Sequence, residues 1–317
     1  MRPPDGTPSA LSPSLVPATV RLSATAPLVS LSAMTPDLAD DFSLAFRLAD
    51  EADAISLGRF RSLDLVIDTK PDLTPVSDAD TAVEAALRAR LAIERPDDAV
   101  LGEEFGSSGP APRRWIIDPI DGTKNFVRGV PVWATLIALA VDDEGLAASG
   151  NDTSDGGNGN LTLGFVSAPA LGMRWWATRG HGAWSGRHAL TARRLHVSRV
   201  SSITDSSVSF SDWNDRAWES TASRPGFTSL LEQAWRSRAF GDFWSHLLVA
   251  EGAVDVAVEP QLSPWDMAAL IPILAEAGGR ITALDGTAAM IGGNAVSTNG
   301  RLHDQVLERL AATGSAG

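Results

Sequence analysis

The chain has 317 residues, 44% of them apolar, with no cysteine and a formal net charge of −13. Such a length supports one large or two ordinary domains with full cores, and the lack of cysteine excludes disulfides, thiolate metal sites and cysteine nucleophiles. The acidic balance argues against a nucleic-acid or anionic-membrane surface, which needs a basic footprint, and no apolar run approaches the roughly 20 residues that span a bilayer.

Residues 1 to 34 are rich in Pro, Ser, Ala and Thr without a period, and are expected to form a disordered extension rather than a signal peptide. Met34 offers an alternative start. Thr35-Pro36 then opens a helix, with Thr as N-cap and Pro in the first turn, carrying Leu38, Phe42, Ala45, Phe46, Ala49, Ala52 and Ile55 at helical spacing. A second helix from Ser77 places Ala82, Val83, Ala86, Leu87 and Leu91 on one face. Between the two, Lys70 to Asp78 is too proline-rich for a regular element. Strands are predicted at 99–101, 114–118, 133–141, 161–168 and 173–178. Residues 142–160, dense in Asp, Asn and Gly, read as an enlarged loop, and no glutamate follows where a calcium loop of the EF-hand kind requires one. Beyond residue 190, strand 238–240, helix 242–251, strand 254–258, helix 264–277, strand 280–282 and a helix from about 301 alternate in the manner of an α/β layer. The expected division is a metal-binding α+β domain over 35–188 and an α/β specificity domain over 189–317.

Trp115-Ile116-Ile117-Asp118-Pro119-Ile120-Asp121-Gly122-Thr123 sets two carboxylates directly behind an apolar strand. Pro119 is expected to turn the chain out of the sheet, and Asp121 to open a short helix. Carboxylates so spaced can share hard cations, and the N–H groups after Gly122 can hold a phosphate oxygen. Metal-assisted phosphate chemistry is the reading. Glu103 and Glu104 follow Ala99-Val100-Leu101, so an adjacent strand would bring one of them near Asp118; alone they read as a solvated turn. Asp266, three residues after Ser263, is a capping-box residue in its own right, worth about 1 kcal/mol to its helix. The histidines 181, 188, 196, 246 and 303 show no ligand spacing.

Together, Gly102-Glu103-Glu104, Trp115 to Thr123 and Trp265-Asp266-Met267-Ala268-Ala269 resemble the inositol monophosphatase family of metal-dependent phosphatases, with further likeness at Lys70-Pro71-Asp72, Ser77-Asp78 and Glu276-Ala277-Gly278-Gly279. The resemblance implies an α/β (α+β overall) fold, a layered αβαβα sandwich of the inositol monophosphatase and fructose-1,6-bisphosphatase type. It implies one Mg²⁺ on Glu103, Asp118 and the Ile120 carbonyl, a second shared by Asp118, Asp121 and Asp266, and a third, weaker ion near Glu103 and Asp78. By the same resemblance Glu103 and Thr123, supported by Asp78, handle the attacking water, and Gly122 and Thr123 hold the phosphate. A homodimer, Li⁺ inhibition and a cytoplasmic setting are further implications.

For the ester's organic part, the candidates are Arg238, Asp242 and Glu259. A neutral inositol or sugar needs one carboxylate to accept hydroxyl hydrogen bonds, whereas histidinol phosphate carries an ammonium and an imidazole that two carboxylates would suit. The competing reading is that Asp242 caps its own helix. Lys124-Asn125-Phe126-Val127-Arg128-Gly129-Val130-Pro131-Val132-Trp133-Ala134, Arg238-Ala239-Phe240-Gly241-Asp242-Phe243 and Val258-Glu259-Pro260-Gln261 resemble the histidinol-phosphate phosphatase branch. That branch implies L-histidinol phosphate hydrolysis in histidine synthesis. The alternatives are an inositol-1-phosphate or broad sugar phosphatase and, more remotely, a non-catalytic metal-binding relative.

Overall fold

A computed structural model describes residues 34–71, 74–141, 160–214 and 216–311, so the predicted N-terminal extension and the 142–160 loop lie outside the described residues apart from Met34 and Asn160. The helices are α1 (Pro36–Arg59), α2 (Asp78–Glu94), α3 (Thr123–Val127), α4 (Ala217–Ser220), α5 (Arg224–Gln233), α6 (Asp242–Ala250), α7 (Pro264–Ala268), α8 (Leu270–Glu276), α9 (Ala289–Gly292) and α10 (His303–Ala311). A two-stranded ribbon pairs β1 (Ile67–Thr69) with β2 (Pro75–Ser77). The large sheet contains β3 (Ala99–Gly102), β4 (Gly106–Ser107), β5 (Arg113–Asp121), β6 (Ala134–Val141), β7 (Leu161–Ala168), β8 (Met173–Thr178), β9 (Ala183–Ser185) and β10 (Arg193–Arg194), in the order β10-β9-β8-β7-β6-β5-β3-β4. The small sheet contains β11 (Ser207–Ser209), β12 (Arg236–Arg238), β13 (Val256–Glu259), β14 (Arg280–Thr282) and β15 (Ala295–Thr298), in the order β12-β11-β13-β15-β14.

Strand alternation decides the layers. In β5, Trp115 and Ile117 face a core shared with Phe42, Leu44, Leu48, Val83 and Leu87 of α1 and α2. Ile116, between them, faces the opposite core with Phe243 and Leu247 of α6 and Leu270, Ile273 and Leu274 of α8. That middle helical layer also receives Ala257 of β13 and Ala295 of β15. Val256, Val258 and Val296 of the same strands turn the other way, onto Phe227 and Leu230 of α5 and Val306 and Leu310 of α10. Helix pair, sheet, helices, sheet and helix pair follow one another: the expected αβαβα sandwich.

Five local expectations differ from the structure. The 70–78 segment is not all loop, because Pro75 begins β2, a place in a strand where the missing N–H is tolerated. Pro119 does not take the chain out of the sheet: β5 runs on to Asp121, pairing with β6 at Asp118↔Leu136 and Asp121↔Ala134 around a bulge, with the Thr135 hydroxyl donating to the Pro119 carbonyl at 2.8 Å. The short helix accordingly begins at Thr123, behind Gly122 rather than at Asp121. The predicted 264–277 helix is two helices, since Pro272 has no N–H for the carbonyl four residues back at Ala268, where α7 ends. The predicted strand 238–240 lies earlier, at 236–238, and Gly241 (φ 89°) and Asp242 (φ 46°) make the corner into α6.

Candidate active site

The two sheets aim the carboxyl ends of their parallel strands at one region, the usual place for a ligand in α/β sheets. In the large sheet, β3 and β5 run parallel with Gly102 opposite Ile117. Glu103 therefore leaves one strand beside Asp118 on the next. In the small sheet β11, β12 and β13 are parallel. Their ends supply Ser211, the Gly241-Asp242 corner and Glu259.

Asp118, Asp121 and Asp266 each offer a carboxylate oxygen, and the three oxygens lie within 4.8 Å of one another. Backbone groups orient them: Ile120 N–H donates to Asp118 Oδ1 at 3.0 Å, Phe243 N–H to Asp121 Oδ2 at 2.7 Å, and Ser263 N–H to Asp266 Oδ2 at 2.7 Å. The last bond completes a capping box, so Asp266 caps α7 and joins the cluster at once. Burial, and then the neighbouring carboxylates, raise Asp118 and Asp121 well above the ordinary carboxylate range and push Asp266 up to about 7. Three anionic oxygens forced together in this way fit a hard divalent cation.

Glu103 stands next to this cluster rather than in it. Its Oε1 accepts from Lys70 Nζ at 2.7 Å, and Lys70 binds Glu104 Oε1 at the same distance. Gly122 has φ 82°, where a side chain would be strained, and a Cβ there would come within 3.0 Å of the Val132 carbonyl. Behind it, Thr123 lies at the start of α3, where helical N–H groups have no carbonyl four residues back. The Thr123 hydroxyl is 3.0 Å from the Ile120 carbonyl and 3.3 Å from Asp80 Oδ1.

That last contact belongs to Asp80, a neighbour of Asp78 on the same helix. Asp78 is the first residue of α2 and its carboxylate is bound by Arg59 at 2.7 Å. Asp80, two residues on and about 200° around the helix, is the carboxylate that meets Thr123. It is buried, which raises its pKa, and it forms a capping box with Ser77. A signal for it existed: Ser77-x-x-Asp80 repeats the Ser263-x-x-Asp266 pattern. We expect Asp78→Asn to keep kcat within about threefold, whereas Asp80→Asn lowers it about 100-fold, the lower range for a positioned proton acceptor. Steady-state phosphate release by the two variants checks this.

Asp242 and Glu259 meet through a residue the sequence did not single out. Ser211 Oγ donates to Glu259 Oε1 at 2.6 Å and accepts from the Asp242 N–H at 2.6 Å. Asp242 Oδ2 also accepts from Asn125 Nδ2 at 3.2 Å. The N-cap of α6 is Gly241, with no side-chain cap, so the capping explanation for Asp242 does not hold. Arg238 stands apart: it ends the edge strand β12, its side chain is exposed, and its Nη1 donates to the Ser237 carbonyl at 2.7 Å. Of the histidines, His246 is buried with Nδ1 on Ser297 Oγ at 2.7 Å, and His303 lies between Thr282 and Thr298, structural placements as expected. No described helix is long and apolar enough to cross a membrane.

A carboxylate whose pKa rises on folding contributes stability below its ordinary value near 4 and loses that contribution as pH climbs through the folded value. For Asp266 this interval ends at about 7. A divalent cation bound at the cluster would take the place of the proton. The rise in Tm on adding Mg²⁺ is therefore expected to be small at pH 5 and to grow through pH 7 to a plateau; a rise independent of pH, in scans of metal-free and Mg²⁺-loaded protein, would contradict the cluster's role.

The chain matches the model of the inositol monophosphatase family over residues 37–152 and 153–314. It is 53% identical over 272 residues to the histidinol-phosphatase of Streptomyces coelicolor, covering 86% of this chain and 97% of that protein. With the histidinol-phosphatase of Mycobacterium tuberculosis it is 54% identical over 274 residues, covering 86% and 98%. The solved inositol monophosphatase of Anabaena superposes with a TM-score of 0.71 at 26% identity, over 88% of this chain and 98% of that one. Sequence, fold and acidic cluster agree, and the chain belongs to the inositol monophosphatase family of metal-dependent phosphatases.

Proposed function

We propose that this protein hydrolyses L-histidinol phosphate to L-histidinol and inorganic phosphate, a step of histidine biosynthesis, with Mg²⁺ as its cation. Support from relatives lies in the name histidinol-phosphatase borne by the Streptomyces and Mycobacterium proteins. The observation that carries the reading is the pair Asp242 and Glu259, hinged on Ser211 and tied to the acidic cluster through Phe243 N–H and Asp121. Burial raises the pKa of Asp242, and a cationic substrate group beside it would lower it again. A neutral polyol offers no such compensation.

In this reading Glu103, Asp118 and the Ile120 carbonyl would hold one Mg²⁺, and Asp118, Asp121 and Asp266, whose ligand oxygens lie within 4.8 Å of one another, a second. When bound, the ions supply charge neutralisation for the phosphate oxygens and lower the pKa of water. The protein's own groups do the rest. Once Glu103 engages a cation, Lys70 still has Glu104 as its partner. Thr123 would accept a proton from the attacking water at Oγ and pass its own to Asp80 Oδ1, 3.3 Å away. The N–H groups of Gly122 and Thr123 would hold the phosphate oxygens, as backbone donors at a glycine-led helix start do. Asp242 and Glu259 accept from the ammonium and imidazole of the substrate and so fix the ester oxygen toward the cluster.

The test is phosphate release from L-histidinol phosphate by the purified chain with Mg²⁺. Turnover abolished by EDTA and restored by Mg²⁺ is expected; turnover unaffected by chelation would refute the metal-dependent reading.

A further inference from the structure

Glu84 is fully buried on α2, and no part of the chemistry above uses it. A buried carboxylate is costly unless its oxygens are hydrogen-bonded. Here each is. Oε2 accepts from the Glu104 N–H at 2.7 Å, and Oε1 accepts from the Phe105 N–H at 3.2 Å and from Arg88 Nε at 2.8 Å. Arg88 closes the ring by donating to the Gly106 carbonyl. Two consecutive backbone N–H groups and one carbonyl of the turn between β3 and β4 are thus held from the helix side. Glu103 is the residue of that turn immediately before the clamped pair.

Gly102 reports how closely the clamp fits. A Cβ built there would lie 2.1 Å from Glu84 Oε1. Its φ is not in the left-handed region, so glycine is required for space alone. Gly102 also pairs with Ile117, one residue before Asp118. The carboxylate of Glu84 therefore occupies the space beside the β3 residue that sets Glu103 against Asp118.

From this arrangement we infer that Glu84 is a positioning residue for the metal site: it fixes the turn that presents Glu103 and so sets cation affinity without touching cation or substrate. The inference rests on the proposed role of Glu103 as a ligand. Outer groups that orient ligands typically change metal affinity by about 10- to 100-fold when replaced. Glutamine at 84 keeps the shape but must turn its NH₂ toward a donor on one side.

The experiment is Mg²⁺ titration of the full chain by calorimetry, with Mg²⁺-dependent kinetics alongside. Glu84→Gln is expected to raise the Mg²⁺ Kd about 10-fold or more, with kcat recovering to within about threefold of the parent at saturating Mg²⁺ and KM for the ester unchanged. Gly102→Ala, which displaces the same carboxylate, should give the same split. The double variant should be no weaker than the weaker single, because both act on one contact. Leu91→Ala, a core truncation on the same helix, should lower Tm and keep the parent Kd. Glu103→Gln is the reference. If it weakens Mg²⁺ binding while Glu84→Gln and Gly102→Ala do not, the inference is overturned and the site reading stands. If Glu103→Gln itself binds as the parent does, the ligand role of Glu103 fails, and this inference with it. A kcat deficit in Glu84→Gln that persists at saturating Mg²⁺ with an unchanged Kd would make the clamp structural only.

Discussion

Asp121→Asn is expected to lower kcat by about three orders of magnitude or more, the scale of losing a preorganised electrostatic contact to the transition state together with a cation's charge, while the metal-free protein melts no lower than the parent. The two halves of that result have one origin. Asp121 lies with Asp118 and Asp266 in a cluster whose ligand oxygens are within 4.8 Å of one another, and burial with the neighbouring carboxylates holds its pKa well above the usual range. Without a cation, its charge is a liability to the fold. Asparagine removes the charge and keeps an oxygen to accept from the Phe243 N–H. A core residue would behave in the opposite way, losing stability first and activity as a consequence. Asp266→Asn should follow the same pattern with a small loss from the weakened capping box. Turnover at or near the parent level in either variant would end the assignment of these carboxylates to the metal site.

The second large effect concerns the substrate. Asp242→Asn and Glu259→Gln should each lower kcat/KM for histidinol phosphate by about 10- to 100-fold, the range of a hydrogen bond to a charged group at about 1.5–3 kcal/mol. On a neutral ester such as inositol 1-phosphate the same variants should change little. Asp242→Asn is a clean substitution here, because the residue has φ 46° and asparagine is one of the few side chains that tolerate the left-handed region. Equal losses on both esters would show that the pair supports the corner and the strand end rather than reading the substrate's charge.

The sequence made the metal corner legible because its chemistry lies close together in the chain. Asp118 and Asp121 share one strand end, whereas Asp266 by itself reads as the cap of its own helix and joins them through the resemblance to the family. Asp80 is less legible, since Ser-Asp-Ala-Asp offers two carboxylates and only the helical phase decides which faces Thr123. Both Asp78 and Asp80 follow Ser77, but the third helical position is the one that turns inward to the cap and to Thr123. Ser211 was not legible at all. It lies 31 and 48 residues from the two residues it joins, and the strand before it, Ser207-Val208-Ser209, shows one apolar residue between two serines. Those serines are buried with hydrogen-bond partners, Ser207 N–H to Asp255 Oδ2 at 2.7 Å and Ser209 Oγ to Ser245 Oγ at 2.7 Å. A strand that buries serines on both sides of its one apolar residue has no hydrophobic period to read. The bulge at Pro119 and the break at Ala268 likewise depend on what the neighbouring strand and the next proline do to the backbone ladder, which a residue pattern within one element does not carry.

The measurement that bears most directly on the account is kcat/KM for L-histidinol phosphate against inositol 1-phosphate, both with saturating Mg²⁺. A preference of about 100-fold or more for histidinol phosphate is predicted, from two charge-assisted contacts that the neutral ring cannot make. Parity, or a preference for inositol 1-phosphate, would contradict the assignment of Asp242 and Glu259 to a cationic substrate and leave a phosphatase of the same family with a different ester.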